Sequence, residues 1–158
     1  GGGGDYPKFR ITQPAQISAT AGGSVILTCT LSGDGPNGKV IWKKGSGGEE
    51  RLFYTRSPGR GEQSDSRASF VKDSDRDKSI QITDLATEDS GTYYCVKFKG
   101  DDKELRRGNG SRLSVAEKNK PQILLSNLPK VRLHLHLLSY SWKPRRVRGT
   151  NPPRKETL

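Results

Sequence analysis

Short runs of alternating apolar and polar residues recur through residues 6–118, separated by clusters of Gly, Pro, Ser, Asn and Asp. A period of two marks a strand with one buried face. Ser24 to Leu31 is the clearest case: Val25, Leu27, Cys29 and Leu31 share one face, while Ser24, Ile26, Thr28 and Thr30 share the other. Phe9 to Gln13 predicts a first strand, broken at Pro14, which removes a ladder donor and marks an edge or a change of sheet. Ile17 to Thr20 continues it. Lys39 to Lys44 predicts a strand with Val40 and Trp42 inward and Ile41 and Lys43 outward. Further strands are predicted at Arg51–Tyr54, Arg67–Val71, Ser79–Ile82, Gly91–Phe98 and Gly108–Val115. Ile80 and Ile82 should point inward. The polar stretch Thr55–Ser66 is expected to hold a short edge strand, residues 83–89 a corner with one helical turn, and residues 100–107 a loop. The glycines at 108 and 110 suit a bulge that twists the last strand.

Nothing in this pattern resembles a helical bundle. Apolar content is 30%, nineteen glycines are scattered through the chain, and many short strands with turn signals fit a small all-β domain. At 158 residues the chain is long enough for one domain with extensions. Residues 1–5 are expected to be a flexible start, 6–118 the domain, and 119–158 an irregular basic tail. The tail loses the alternation except at Leu133–Leu137, which has no turn chemistry leading back to a partner strand, and it should be disordered.

The net charge of +11 raises nucleic acid as a partner, but its location argues otherwise. Residues 1–120 carry 20 Lys and Arg against 16 Asp and Glu, whereas residues 121–158 carry 8 against Glu156 alone. The domain is thus mixed in sign, as a solvated surface is, and no nucleic acid is expected to bind it. A polyanion-binding tail with the domain as passenger is the competing reading, and a read-through origin for the tail is another. No stretch approaches the roughly 20 apolar residues of a membrane span, so no anchor is read in this chain. No secretory leader is read at Gly1–Gly4 either, which is expected to reflect a trimmed or incomplete gene product.

One constellation organises the rest. Cys29 lies in the Ser24–Leu31 alternation, Trp42 follows, and Asp89-Ser90-Gly91-Thr92-Tyr93-Tyr94-Cys95 holds the second of only two cysteines with a tyrosine two positions before it. This order of residues resembles the immunoglobulin superfamily, V-set, and implies a β-sandwich of two antiparallel sheets with Greek-key connections. In that fold Cys29 and Cys95 would be bridged, Trp42 would pack on the sulfurs, and the Tyr93 hydroxyl would tie the corner before its strand. Arg67 and Asp89 resemble the pair that closes the lower end. The bridge implies an oxidising, extracellular compartment; a chance cysteine pair is the competing reading. Closing a loop of this length should stabilise the domain by about 4 kcal/mol in the chain-entropy model.

The resemblance narrows at Ile41-Trp42-Lys43-Lys44-Gly45, Arg51-Leu52-Phe53-Tyr54, Gly108 to Val115 and, most distinctively, Tyr93-Tyr94-Cys95-Val96-Lys97-Phe98-Lys99-Gly100. These segments look like the first domain of the signal-regulatory protein family, cell-surface receptors of immune recognition. The resemblance implies a protein ligand, a V-like domain on an opposing cell, bound by the loops at one end of the sandwich. By position it puts ligand contacts at Gly33, Asp34, Gly35, Pro36 and Asn37, at Ser74, Asp75 and Arg76, and at Lys97, Lys99, Gly100 and Asp101. The 33–37 loop departs from the family in being polar and glycine-rich. An antigen-receptor variable domain and a secreted decoy receptor are the alternatives.

Tyr54, Tyr94, Val96, Phe98 and Ile41 are expected to crowd the outer face of the sheet lettered GFCC′ in V-set domains. Such a patch suits a partner or a homodimer; cover by lysine stems is the bland alternative. Lys97 shares the parity of Cys95, so it either leans inward toward Asp101 or Asp102 or meets ligand. Asn109-Gly110-Ser111 is the sole N-glycosylation acceptor sequence. No cofactor or metal is expected: His134 and His136 lack further ligands, and Gly45–Gly48 lacks the Lys-Ser/Thr ending of a phosphate loop. An enzyme is not expected, since residues 1–120 contain no histidine to activate a nucleophile and both cysteines are committed.

Overall fold

A computed structural model describes residues 5–46, 48–100 and 102–119. The expected tail, apart from Asn119, lies outside the described residues, as do His134, His136 and Asp101. Eleven strands form among the described residues: β1 (Arg10–Thr12), β2 (Gln16–Thr20), β3 (Val25–Leu27), β4 (Thr30–Ser32), β5 (Val40–Ser46), β6 (Glu49–Tyr54), β7 (Ala68–Phe70), β8 (Ile80–Ile82), β9 (Gly91–Phe98), β10 (Glu104–Arg107) and β11 (Ser111–Ala116). A 3-10 turn at Thr87–Asp89 makes the expected corner. One sheet runs β2-β11-β9-β5-β6, with β10 also on β9; the other runs β3-β8-β7, and β1 pairs with β4. All ladders are antiparallel except β2 on β11. That exception follows from Pro14, after which the chain leaves β4 and crosses to the other sheet, where Arg112 N–H donates to the Ala15 carbonyl.

The inward faces are those the alternation predicts. Leu27, Cys29 and Leu31 are buried while Ile26 on the opposite face is 46% exposed, and Ile80 and Ile82 are fully enclosed. Cys29 and Cys95 are bridged, with Cα atoms 6.4 Å apart. Trp42 is 0% exposed and is the cross-strand partner of Cys95. Its indole N–H donates to the Lys78 carbonyl at 2.9 Å, so the buried ring leaves no polar group unpaired. The Tyr93 hydroxyl donates to the Asp89 carbonyl at 2.6 Å, and Phe53 meets the Tyr93 ring edge-on at 5.0 Å.

Four local expectations differ. The Ser24–Leu31 run is split into β3 and β4, because Cys29 N–H donates to the Ser79 hydroxyl rather than to a ladder carbonyl. No strand forms over residues 55–66: Thr55 and Ser64 exchange two hydrogen bonds and Glu62 closes on Gly59, so the segment folds back on itself and does not pair along a sheet edge. Residues 104–107, expected in a loop, pair with β9 as β10. Tyr54 is not on the outer face. A bulge between Trp42 and Lys43 sets Tyr54 opposite Trp42, and its ring packs against Phe70 at 5.1 Å.

At the lower end, Arg67 donates two hydrogen bonds to Asp89, at 2.8 and 2.9 Å, and two more to Asp65. Hydrogen bonds from Arg67 hold both carboxyls below the usual range, against the opposing effect of burial. A carboxylate depressed in the folded state stabilises it above its unfolded pKa and loses that contribution as pH falls through the folded value. The thermal midpoint should therefore drop as the solution is acidified below the ordinary carboxylate range. Asp89→Asn should be less stable at neutral pH and show a flatter acid dependence; calorimetry across pH checks this, and parallel curves for the two proteins would contradict it.

Candidate protein-recognition site

At the end of the sandwich opposite Arg67, residues 33–38 and 73–77 and the hairpin from β9 to β10 converge. The chain turns back after β4 because Gly33 adopts a φ of +79°, which an L side chain rarely tolerates. Arg76 reaches across to donate to the Gly33 carbonyl at 2.9 Å, joining the two loops. Residues 74–77 close on themselves through Ser74 and Asp77 backbone bonds and the Ser74 hydroxyl. Asp73 behind them pairs with Lys78 at 2.8 Å and Arg56 at 2.6 Å, and the Lys78 hydrogen bond lowers its pKa.

Between these loops lies a polar cleft of about 300 Å³. Its walls include Gly33 to Gly38, Asp75, Arg76, Lys78 and Lys97. Lys97 points into it, as its parity with Cys95 implies, and Nζ donates to the Gly38 carbonyl at 2.9 Å. Burial, then the neighbouring Lys78 charge, lower the Lys97 pKa, while Asp75 opposes them. Asp102 pairs instead with Lys39, at 3.2 Å, so the inward Lys97–Asp102 bridge does not form. The cleft walls thus carry Arg76, Lys97 and Lys78, the last already paired with Asp73, beside Asp34 and Asp75.

Of the residues placed here from the sequence, Gly33, Asp34, Gly35, Pro36, Asn37, Asp75, Arg76 and Lys97 line the cleft. Ser74, Lys99 and Gly100 do not. Ser74 is spent closing its turn; Lys99 reaches back to Asp5, 3.6 Å away; Gly100 sits beside the Asn37 carbonyl. Lys78 and Phe9 line the cleft but were not foreseen there. Phe9, read only as a strand start, is buried against Gly35. Arg106 was also missed: its guanidinium donates to the Tyr6 and Phe9 carbonyls at 2.9 and 2.7 Å and fastens the start of the domain to β10.

The model of the immunoglobulin V-set domain matches residues 12–116. The chain belongs to the immunoglobulin V-set family. Its curated relatives include signal-regulatory protein beta-1 of Homo sapiens, 35% identical over 129 residues, covering 79% of this chain and 32% of the relative. The protein called tyrosine-protein phosphatase non-receptor type substrate 1 is 28% identical over 148 residues in Bos taurus (89% of this chain, 29% of the relative). In Rattus norvegicus it is 32% identical over 155 residues (92% and 30%). The chain therefore spans under a third of the length of these relatives. Together they support a V-set domain of the signal-regulatory protein family, a cell-surface, immune-receptor-like domain. Among the described residues no helix is long and apolar enough to cross a membrane.

The outer face of this V-set domain's larger sheet does not expose the expected apolar patch. Val96 is 0% exposed and Ile41 is buried. Arg107 lies 5.2 Å over the Tyr94 ring and Lys39 5.3 Å over Phe98. Arg107 also pairs with Glu50 at 2.6 Å and Glu104 at 2.8 Å, and Lys43 reaches the same two acids. Hydrogen bonds from Arg107 lower the pKa of both glutamates. A second cleft, of about 500 Å³, surrounds Arg67, Asp65 and Asp89 at the other end, where these three side chains pair and Lys44 rests on the Glu88 carbonyl.

The cleft depends on a close approach. A Cβ on Gly38 would collide with the Phe98 carbonyl and press on the backbone of Lys99. Gly38→Ala should push the 33–38 loop off β9 and cost about 1–3 kcal/mol, the usual effect of inserting a methyl where none fits. Chemical denaturation, with hydrogen exchange at residues 33–37, measures both effects; an unchanged midpoint and exchange rate would contradict the contact.

Proposed function

We propose that this domain is the recognition module of a signal-regulatory-type receptor, displayed outside the cell, and that it binds a V-like protein domain on an opposing cell. Binding is made by the 33–38 loop, the 73–77 turn and the end of β9, with no chemical step. The observation that carries this reading is the cleft in which Arg76, Lys78 and Lys97 converge. Arg76 and Lys97 are held there by the Gly33 and Gly38 carbonyl oxygens, whereas Lys78 is paired with Asp73 and lies over the Phe70 ring. Interfaces favour such preorganised charged anchors on a rigid frame, and the ligand implied is one presenting carboxylates to the cleft. A homodimer through the GFCC′ face has less support, because that face is covered by a closed set of ion pairs over its aromatic rings. A secreted decoy would use the same surface and differ only in anchoring.

A binding screen of the chain against cell-surface V-like ectodomains tests the reading. A true ligand should lose roughly tenfold in affinity on Lys97→Ala or Arg76→Ala, the effect of an anchor contributing about 1.4 kcal/mol. The thermal midpoint should fall by only a few degrees, the effect of losing one loop hydrogen bond, about 0.5–1.5 kcal/mol. Ile26→Thr, on the outer face of the other sheet, should bind normally. A ligand indifferent to both cleft variants but lost with Ile26→Thr would place recognition on the wrong surface.

A further inference from the structure

The acceptor triplet Asn109-Gly110-Ser111 sits in the bulge between β10 and β11. Its two functional ends are in opposite environments. Asn109 is exposed, while Ser111 is 0% exposed. The Ser111 hydroxyl donates to the Pro14 carbonyl and accepts from Gln13 Nε2 at 3.0 Å. The backbone on both sides is tied as well: Gly108 N–H donates to the Cys95 carbonyl at 3.0 Å, and Gly110 N–H donates to Gln13 Oε1 at 3.2 Å. Gly110 has a φ of +95° and lies against the Tyr94 ring, so the triplet cannot extend away from the sheet without breaking these contacts.

An Asn-x-Ser acceptor needs the serine hydroxyl as well as the asparagine amide. In the closed domain the amide is available and the hydroxyl is not. We propose that Asn109 is an N-glycosylation site that accepts its glycan only before β11 closes onto β9, so that occupancy is set by competition between transfer and folding. The donor is a lipid-pyrophosphate-linked oligosaccharide. Asn109 Nδ2 bonds to the anomeric carbon of the first sugar, and the bond from that carbon to the pyrophosphate oxygen breaks. The lipid pyrophosphate leaves with the bonding electrons, and the amide releases one proton. Once the sheet closes, the exposed Asn109 side chain accommodates the glycan while Ser111 serves the fold, so modification and native packing are compatible in that order alone. Because β11 is the last strand of the domain to be synthesised, the time available is short, and closure of the Cys29–Cys95 bridge ends it.

The test expresses the full chain behind an added secretory leader in mammalian cells, with and without a reductant that keeps the bridge open during synthesis. Enzymatic deglycosylation in heavy-oxygen water converts a glycosylated asparagine to labelled aspartate, which peptide mass mapping reads. Labelled Asp at position 109 is expected in both samples, with a shift toward fuller occupancy under reductant. Asn109→Gln should abolish the corresponding gel shift. An unlabelled Asn109 in both samples would overturn the site, and equal occupancy with and without reductant would overturn the folding gate.

Discussion

A sulfur–sulfur bond between Cys29 and Cys95 spans the gap between the two sheets, and Trp42 fills the space at the same level of the core. The bond ties the strand run 25–32 to β9, and the indole N–H ties β5 to the 76–78 segment. Four parts of the chain distant in sequence are thereby held around one point. Loop closure alone contributes about 4 kcal/mol in the chain-entropy model, a large share of the roughly 5–15 kcal/mol that holds a domain together. The loops at the cleft end spring from those four parts, so the core sets where they start, and the Arg76–Gly33 and Lys97–Gly38 hydrogen bonds then join them to one another.

Charge is disposed differently over the two ends and the outer face. At the lower end the Arg67 guanidinium is matched by Asp65 and Asp89 in a forked geometry. On the outer face Arg107 and Lys43 are matched by Glu50 and Glu104. At the cleft, Lys97 and Arg76 rest on carbonyl oxygens. A carbonyl orients a cation without neutralising it. The first two arrangements pair cations with carboxylates, whereas the third leaves Lys97 and Arg76 on carbonyls, with Asp34 and Asp75 as the acids in the cleft wall. Functional residues carried on loops over a rigid frame are the usual arrangement for recognition; at the other end the comparable cation, Lys44, which rests on the Glu88 carbonyl, is carried on a strand.

The strands and the central constellation were legible because each rests on local pattern. Alternation identified the inward faces of residues 24–31 and 79–82, and the Cys-Trp-Tyr-Cys order identified the sandwich. Features depending on parity shifts or long-range polar contacts were not legible. The bulge beside Trp42 turns Tyr54 inward, and a single inserted position leaves no mark in an alternating run. Gln13 fills the gap in the ladder at the other bulge, bonding Tyr93, Cys95, Gly110 and Ser111 from 80 to 98 residues away in sequence; as a glutamine next to proline it reads only as a strand end. Arg106 read as a loop cation and proves to be a fastener for residues 5–9. The cleft residues from 33–37 and Asp75, Arg76 and Lys97 were found through resemblance in position, whereas Phe9 and Lys78 needed the folded chain to bring them there.

Amide hydrogen exchange of the chain with the Cys29–Cys95 bond intact and after its reduction tests most directly whether the core sets the loops at the cleft end. With the bond intact, the amides of Cys29, Lys78 and Phe98, which donate to Ser79, Cys29 and Lys39 respectively, should exchange slowly. After reduction all three should exchange markedly faster, together with Leu31, whose N–H donates to the Arg76 carbonyl at the cleft. Retained protection at Leu31 and Phe98 in the reduced protein would mean that the loops hold their places without the bond, contrary to this account.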